Sequence, residues 1–231
     1  MVIGIIGAMN EEIIELKSVM KDLKEDKIGN LLFFSGKLED KDVVLVEGGI
    51  GKVNAAITTT ILKDHFNVDK IIFTGVAGGV DEKLNITDIV IGTDLVQHDV
   101  DVRAFGYELG QIPRIDTLSF NCDEELMNLA YLVALEEFGK NKVSKGRIVS
   151  GDQFVAAEEK INWLRETFNA SCTEMEGAAV AQTCYVLNVP FLVIRAISDK
   201  ANSDAKMDYP EFVKIAAKNS KTIVEGILRR L

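Results

Sequence analysis

The chain reads as an α/β fold with a mixed, mostly parallel central sheet flanked by helices. Short apolar runs rich in Val and Ile alternate with longer segments of helical period, the pattern of strands that cross over through helices. Most of these runs lack polar alternation, as strands covered on both faces do. Glycine-rich turns follow three of them, and the carboxyl ends of strands are where α/β sheets bind ligands.

In chain order, the first strand is expected over Val2 to Ile6, with Gly4 and Gly7 around its end, and a helix over Glu11 to Leu23. Leu31 to Leu38 and Asp42 to Glu47 form the next two strands. Only Glu39, Asp40 and Lys41 separate them, too few for a parallel crossover, so this pair is an antiparallel hairpin and the sheet is mixed. The turn Gly48-Gly49-Ile50-Gly51 leads into a helix over Lys52 to Phe66, where His65 ends on the surface. The strand Lys70 to Thr74 then runs into Gly75-Val76-Ala77-Gly78-Gly79. A strand over Asp88 to Gly92 precedes a long irregular stretch from Thr93 to Asn121, and loops of that length in compact domains are functional or intermolecular. Beyond it come a helix over Glu124 to Phe138, a strand over Gly146 to Ser150 and a helix over Glu158 to Thr167. The last elements are a strand over Ser171 to Met175, a helix over Gly177 to Leu187, a strand over Phe191 to Ile197 and a helix over Tyr209 to Leu231. Asp208 and Glu211 stand in capping-box spacing at the start of that final helix, with Pro210 in its first turn. No repeat or linker breaks the chain, so residues 1–231 are read as a single domain.

Composition excludes several classes of function. At 231 residues and 47% apolar content the chain buries a core without disulfide or metal staples. With 36 acidic against 26 basic residues and no basic run, it lacks the electrostatic footprint of a nucleic-acid binder. Cys122, Cys172 and Cys184 are an odd count without metal-binding spacing, which fits a reducing, cytoplasmic setting. Two distant histidines, His65 and His98, offer no ligand array for a protein-built metal site. The N-terminus has no basic segment and its apolar run is broken by glycine, so neither a signal peptide nor a membrane span is expected.

The glycine turns match neither nucleotide fingerprint: Asn54 stands where the dinucleotide pattern wants a third glycine or an alanine, and Val46 and Val53 where a P-loop wants glycine and Ser/Thr. The acidic residues beside the turns carry more information. Glu11 and Glu12 open a helix, where the macrodipole alone would explain them. Glu174 and Glu176 are two apart, so in an extended chain both point to one face, and Glu174 falls within a strand that reads as buried. Arg195, in another apolar strand, needs a carboxylate partner that Glu174 or Glu176 could supply, and Ser198-Asp199 ends the same strand. Carboxylates converging at one end of a sheet without metal ligands suit acid/base cleavage of a glycosyl bond through an oxocarbenium ion.

Six motifs, in order and at matching spacing, resemble the 5′-methylthioadenosine/S-adenosylhomocysteine nucleosidases of the nucleoside phosphorylase superfamily. They are Gly7-Ala-Met9-Asn-Glu-Glu12, Glu47-Gly-Gly-Ile50-Gly-Lys-Val-Asn-Ala, Thr74-Gly-Val-Ala-Gly-Gly79, Ser150-Gly-Asp-Gln-Phe154, Glu174-Met-Glu176-Gly-Ala-Ala and Arg195-Ala-Ile-Ser198-Asp199. The resemblance covers essentially the whole chain. It implies a nucleoside phosphorylase-like fold and hydrolysis of the N9–C1′ bond of adenine nucleosides bearing a 5′-thioether, without a cofactor. Asp199 would protonate adenine N7 with Ser198 holding its carboxylate, Glu12 would activate water, and Arg195 would position the acidic network. Glu176 would accept the ribose hydroxyls, Met9 and Met175 would line the sugar, Phe154 would stack on adenine and the main chain of Val155 would read its edge. Ile50, Val76, Ala77, Gly78, Gln153 and Glu174 would complete the substrate pocket, with Tyr209 at the thioalkyl end. Val102, Phe105 and Pro113 would cap the pocket of a neighbouring subunit in a homodimer.

The family commonly has a serine where this chain has Val76, so one hydroxyl near the ribose is missing, and Val155 replaces a common isoleucine. Within the superfamily the alternatives are a purine nucleoside phosphorylase and a futalosine-type nucleoside hydrolase, which shares much of the motif set. Phosphate beside Glu12 would be repelled, and the turn Gly7-Ala-Met-Asn offers no arginine to clamp it. A non-catalytic nucleoside sensor would not need Glu12 and Asp199 together.

Overall fold

The computed structural model describes residues 1–200 and 205–231, with side chains described from residue 212 onward in the second stretch. Ten strands make one mixed sheet, in the order β10-β6-β8-β9-β5-β1-β4-β3-β2 with β7 beside β6. These are β1 (Val2–Gly7), β2 (Lys21–Ile28), β3 (Leu31–Leu38), β4 (Lys41–Glu47), β5 (Lys70–Gly79), β6 (Ile89–Gln97), β7 (Phe120–Asn121), β8 (Val143–Ser150), β9 (Ala170–Glu174) and β10 (Phe191–Asp199). The helices are α1 (Asn10–Lys17), α2 (Lys52–Asp64), α3 (Glu124–Phe138), α4 (Glu158–Phe168), α5 (Gly177–Leu187) and α6 (Ala205–Leu228). The sheet is not open: β10 also pairs with β5, which closes β5, β10, β6, β8 and β9 into a ring. Strands β1 to β4 extend from that ring as an open wing.

Parallel and antiparallel neighbours are mixed through the sheet. β1 lies parallel to β4 and β5, and β10 parallel to β5, whereas β6 runs antiparallel to β10 and β9 antiparallel to β5. The hairpin expected from the short Glu39–Lys41 link is present, with β3 antiparallel to β4. Central strands are largely apolar because both faces are covered; Ile3, Ile5, Ile71, Ile72, Leu192 and Val193 have no exposed surface. Helix α6 packs against β10, β5, α1 and α3, while α2 packs against α5.

Three boundary expectations are corrected. The helix expected to run to Leu23 stops at Lys17, and Lys21 to Ile28 is an edge strand paired antiparallel with β3 through the Gly29-Asn30 turn, where Gly29 has φ +61°. Its charged residues hid it: an exposed edge strand carries Lys, Asp and Glu in place of apolar alternation, which also discourages edge-to-edge association. Helix α6 starts at Ala205, ahead of the capping box read at Asp208 and Glu211, so Asp208 is not its N-cap. The irregular stretch read from Thr93 is also shorter, because β6 continues to Gln97.

Candidate active site

A cavity of about 320 Å³ opens where the carboxyl ends of β1, β5, β9 and β10 converge. Most of the residues singled out in the sequence meet there: Met9, Glu12, Ile50, Val76, Ala77, Gly78, Gln153, Phe154, Val155, Glu174, Met175, Glu176, Ser198 and Asp199. Ala8 and Thr173 line it as well and were not anticipated; Thr173 precedes Glu174 on β9, and nothing in its residue type marks it. Arg195 sits behind the lining, and Val102, Phe105 and Pro113 do not border this cavity. Tyr209 lies outside the residues whose side chains are described.

Glu12 is held from two elements. At the third position of α1 its Oε2 accepts the amides of Ala8 at 2.6 Å and Met9 at 3.0 Å, so the carboxylate serves the helix terminus as the macrodipole argument predicts. Its Oε1 reaches across to accept the Val76 amide in the C-terminal half of β5, at 3.0 Å. Val76 thus contributes through its main chain, whatever its side chain. Burial pushes the Glu12 carboxyl above its ordinary range, opposed by Arg195 and the three amides. A basic carboxylate fixed in orientation is suited to taking a proton from water.

Gly75 makes room for it. A Cβ on Gly75 would stand 2.5 Å from Glu12 Oε1, so the carboxylate would have to leave its place. Gly75→Ala is therefore expected to cut turnover by about 10²-fold, the scale of a displaced base, while the melting temperature shifts by only a few degrees. A variant with wild-type turnover would show that the position of Glu12 does not matter.

Consecutive residues of a strand point to opposite faces, yet Ser198 and Asp199 both line the cavity. The cause is a register shift between Ile197 and Asp199: Ile197 pairs with Ala77 and Asp199 with Gly78, leaving Ser198 as the extra residue. The Ser198 hydroxyl donates to Asp199 Oδ2 at 2.8 Å. Asp199 is 3% exposed, so its carboxyl faces the cavity shielded from bulk water.

Glu174 and Glu176 do not share one extended face. β9 ends at Glu174, and Glu176 becomes the N-cap residue of α5. Glu174 is the partner that Arg195 required, with Nη2 to Oε2 at 2.6 Å; the same oxygen accepts the Gly177 amide at 2.7 Å, and Ser150 Oγ donates to the other. Arg195 is completely enclosed, with its guanidinium 3.9 Å from the centre of the Phe73 ring and one nitrogen donating to the Ile194 carbonyl at 3.0 Å. Burial opposes its charge, but Glu174 and Glu12 hold its pKa above the ordinary value. Such a pair costs desolvation and is held by its hydrogen bonds; removing one partner strands the other charge.

Glu176 turns the other way and accepts the Gly51 amide at 2.8 Å. Burial, reinforced by Glu174, pushes its carboxyl up to about 7. Because this lies above the unfolded value, the folded protein binds the proton more tightly, so the stabilisation is present at acid pH and lost as pH rises through 7. Glu176→Gln should therefore melt several degrees above wild type at about pH 8.5 and gain nothing at about pH 5. Equal shifts at both pH values would contradict the elevated carboxyl.

Among the described residues no cluster of three or more His, Cys, Asp or Glu side chains could hold a metal ion, and no helix is long and apolar enough to cross a membrane. The family model described as phosphorylase superfamily matches residues 2–229. A curated 5′-methylthioadenosine/S-adenosylhomocysteine nucleosidase of Staphylococcus haemolyticus is 46% identical over 230 residues, covering 99% of this chain and all of the relative. The solved nucleosidase of the same description from Neisseria meningitidis, in complex with methylthio-immucillin-A, superposes with a TM-score of 0.96 at 42% identity, covering 100% of this chain and 99% of that one. A futalosine hydrolase of Helicobacter pylori superposes with a TM-score of 0.94 at 38% identity, covering 100% and 98%. The chain belongs to the phosphorylase superfamily and, within it, to the 5′-methylthioadenosine/S-adenosylhomocysteine nucleosidases.

Proposed function

We propose that the chain, acting as one domain over residues 1–231, hydrolyses the N-glycosidic bond of 5′-methylthioadenosine and S-adenosylhomocysteine, releasing adenine and the 5-thioribose product. The observation that carries this is the meeting of Glu12, Glu176 and Asp199 in one cavity. Asp199, held by Ser198, donates a proton to adenine N7 so that the base leaves neutral. The ribosyl group left behind carries developing positive charge, which Glu12 and Glu176 stabilise more in the transition state than in the ground state. Glu12 takes the proton of the water that attacks C1′. Arg195 acts from behind by fixing Glu174, whose Oε2 accepts the amide that opens α5 next to Glu176. Phe154, about half exposed at the cavity edge, offers the stacking face for adenine.

Water is favoured over phosphate as the nucleophile. The cavity lining among the described residues holds Glu12, Glu174, Glu176 and Asp199 and no lysine or arginine, so phosphate would meet carboxylates without a clamp. The test is a product assay over several 5′-substituted adenosines, a futalosine-type nucleoside included, with and without phosphate. The proposal expects free thioribose at a rate independent of phosphate. A sugar 1-phosphate would assign a phosphorylase, turnover confined to the futalosine-type nucleoside would assign that hydrolase, and binding without turnover would assign a sensor.

The same reading includes a cytoplasmic homodimer. Phe105 is 82% exposed on a short turn, and Val53, Ile57, Tyr185 and Val186 leave apolar surface open along α2 and α5. Val102, Phe105 and Pro113, absent from their own chain's cavity, would complete that of the partner. Sedimentation is expected to give a dimer, with Phe105→Ala raising KM; a monomer of full specific activity at low concentration would contradict it.

A further inference from the structure

Two cavity walls are built from segments outside the sheet. Ile50 and Gly51 form the turn on the Glu176 side, and Gln153, Phe154 and Val155 form the loop proposed to hold the base. They are joined by residues that do not line the cavity. The Lys52 amide, at the start of α2, donates to Asp152 Oδ1 at 2.9 Å; the N-cap residue Gly51 has no side chain to do this, so the loop caps the helix. The Asp152 amide in turn donates to Asp99 Oδ2 at 3.1 Å, and the Lys52 ammonium donates to Asp99 Oδ1 at 2.7 Å. Lys52 also donates to Gln97 Oε1 at 3.0 Å, and the Gln97 amide donates to Gln182 on α5, the helix that Glu176 opens.

We propose that Asp99, through Lys52 and Asp152, is a positioning residue that clasps the sugar-side turn to the base-side loop and so sets the spacing between Glu176 and the adenine stack. The three residues come from segments about fifty residues apart in sequence and meet only in the folded chain. The Asp99 and Lys52 side chains are 19% and 20% exposed, an environment in which an ion pair is less screened than at the open surface. Burial opposes charge on Asp99, yet Lys52 and the Asp152 amide hold its carboxyl below the usual range. His98 floors the loop: its ring is buried, and a Cβ on Gly151 would meet it at 2.5 Å, so the loop rests directly on the imidazole. The clasp therefore restrains the loop from the side and the ring from below.

This inference rests on the proposed nucleosidase reaction. A wall held at the wrong spacing weakens ground state and transition state alike, so the loss should fall on KM and not on kcat. Asp99→Ala is expected to raise KM for methylthioadenosine about 10-fold and weaken adenine binding by a similar factor, with kcat within about 3-fold. Asp99→Asn keeps an acceptor for the Asp152 amide and should recover part of the loss. Adding Lys52→Met to Asp99→Ala should cost less than a further 2-fold, because both members of one clasp are already broken. Unchanged KM and adenine affinity in Asp99→Ala, a loss confined to kcat, or fully multiplying losses in the double variant would overturn the clasp. Should Asp99→Ala fail to fold, Lys52→Met alone decides, and a wild-type KM there overturns it. Wild type that binds adenine but turns over no methylthioadenosine would sink the reaction instead, while the adenine affinities of the variants still report on the clasp.

Discussion

Glu12→Gln is expected to bind methylthioadenosine about as tightly as wild type and to lose ~10²–10⁴ in turnover, the typical worth of a general base. The amide oxygen can occupy the Oε2 position and keep the bonds from the Ala8 and Met9 amides, so α1 remains capped. Its nitrogen then faces the Val76 amide, and one hydrogen bond of about 1 kcal/mol is lost, against which relief of a buried charge acts in the opposite direction. Folding should therefore survive. What the amide cannot do is accept the proton of the attacking water. Near wild-type turnover would reduce Glu12 to a helix-terminus charge, with the water activated elsewhere.

Asp199→Asn should be as damaging for a different reason, with cleavage falling by an amount on the order of 10² or more. Asparagine matches aspartate in size, and its carbonyl can accept from Ser198 Oγ as Oδ2 does now. The shifted register between Ile197 and Asp199 is a property of the backbone, so the side chain should still reach the cavity. The variant lacks only the transferable proton. Adenine affinity close to wild type together with a collapsed rate would separate this role from a structural one.

The strands were legible because burial on both faces leaves a mark: β1 and β4 fall within one residue of where the Val/Ile-rich pattern and its flanking turns place them, as α3 and α5 follow from their periodicity. β2 was not legible, since an edge strand of Lys, Asp and Glu has the composition of an exposed helix, and the three- and four-residue spacing of Ile13 and Leu16 continues through Met20 to Leu23. The ring closure was hidden for another reason. Whether β10 pairs with β5 as well as β6 depends on sheet twist and coverage, which no local pattern records.

The site divides in the same way. Six motifs identified the residues that gather at the cavity, yet how Asp199 comes to face it depends on a register shift that Ile197-Ser198-Asp199 does not announce. Glu174 and Glu176 were read together from their spacing, but the strand ends between them, and one pairs with Arg195 while the other turns to Gly51. Gly75 could be read only as a turn glycine; its close approach to Glu12 comes from packing β5 against the start of α1. The Lys52, Asp99 and Asp152 contacts join distant segments and leave no local signature.

Leaving-group protonation by Asp199 is the central step of the mechanism, and a pair of rates tests it most directly. Hydrolysis of methylthioadenosine and of an analogue whose leaving group departs readily without a proton would be measured for wild type and Asp199→Asn at matched thermal stability. The predicted result is a loss on the order of 10² or more for methylthioadenosine with the activated analogue largely spared. Equal losses for the two substrates would contradict the assignment of Asp199 as the acid, and with it the mechanism.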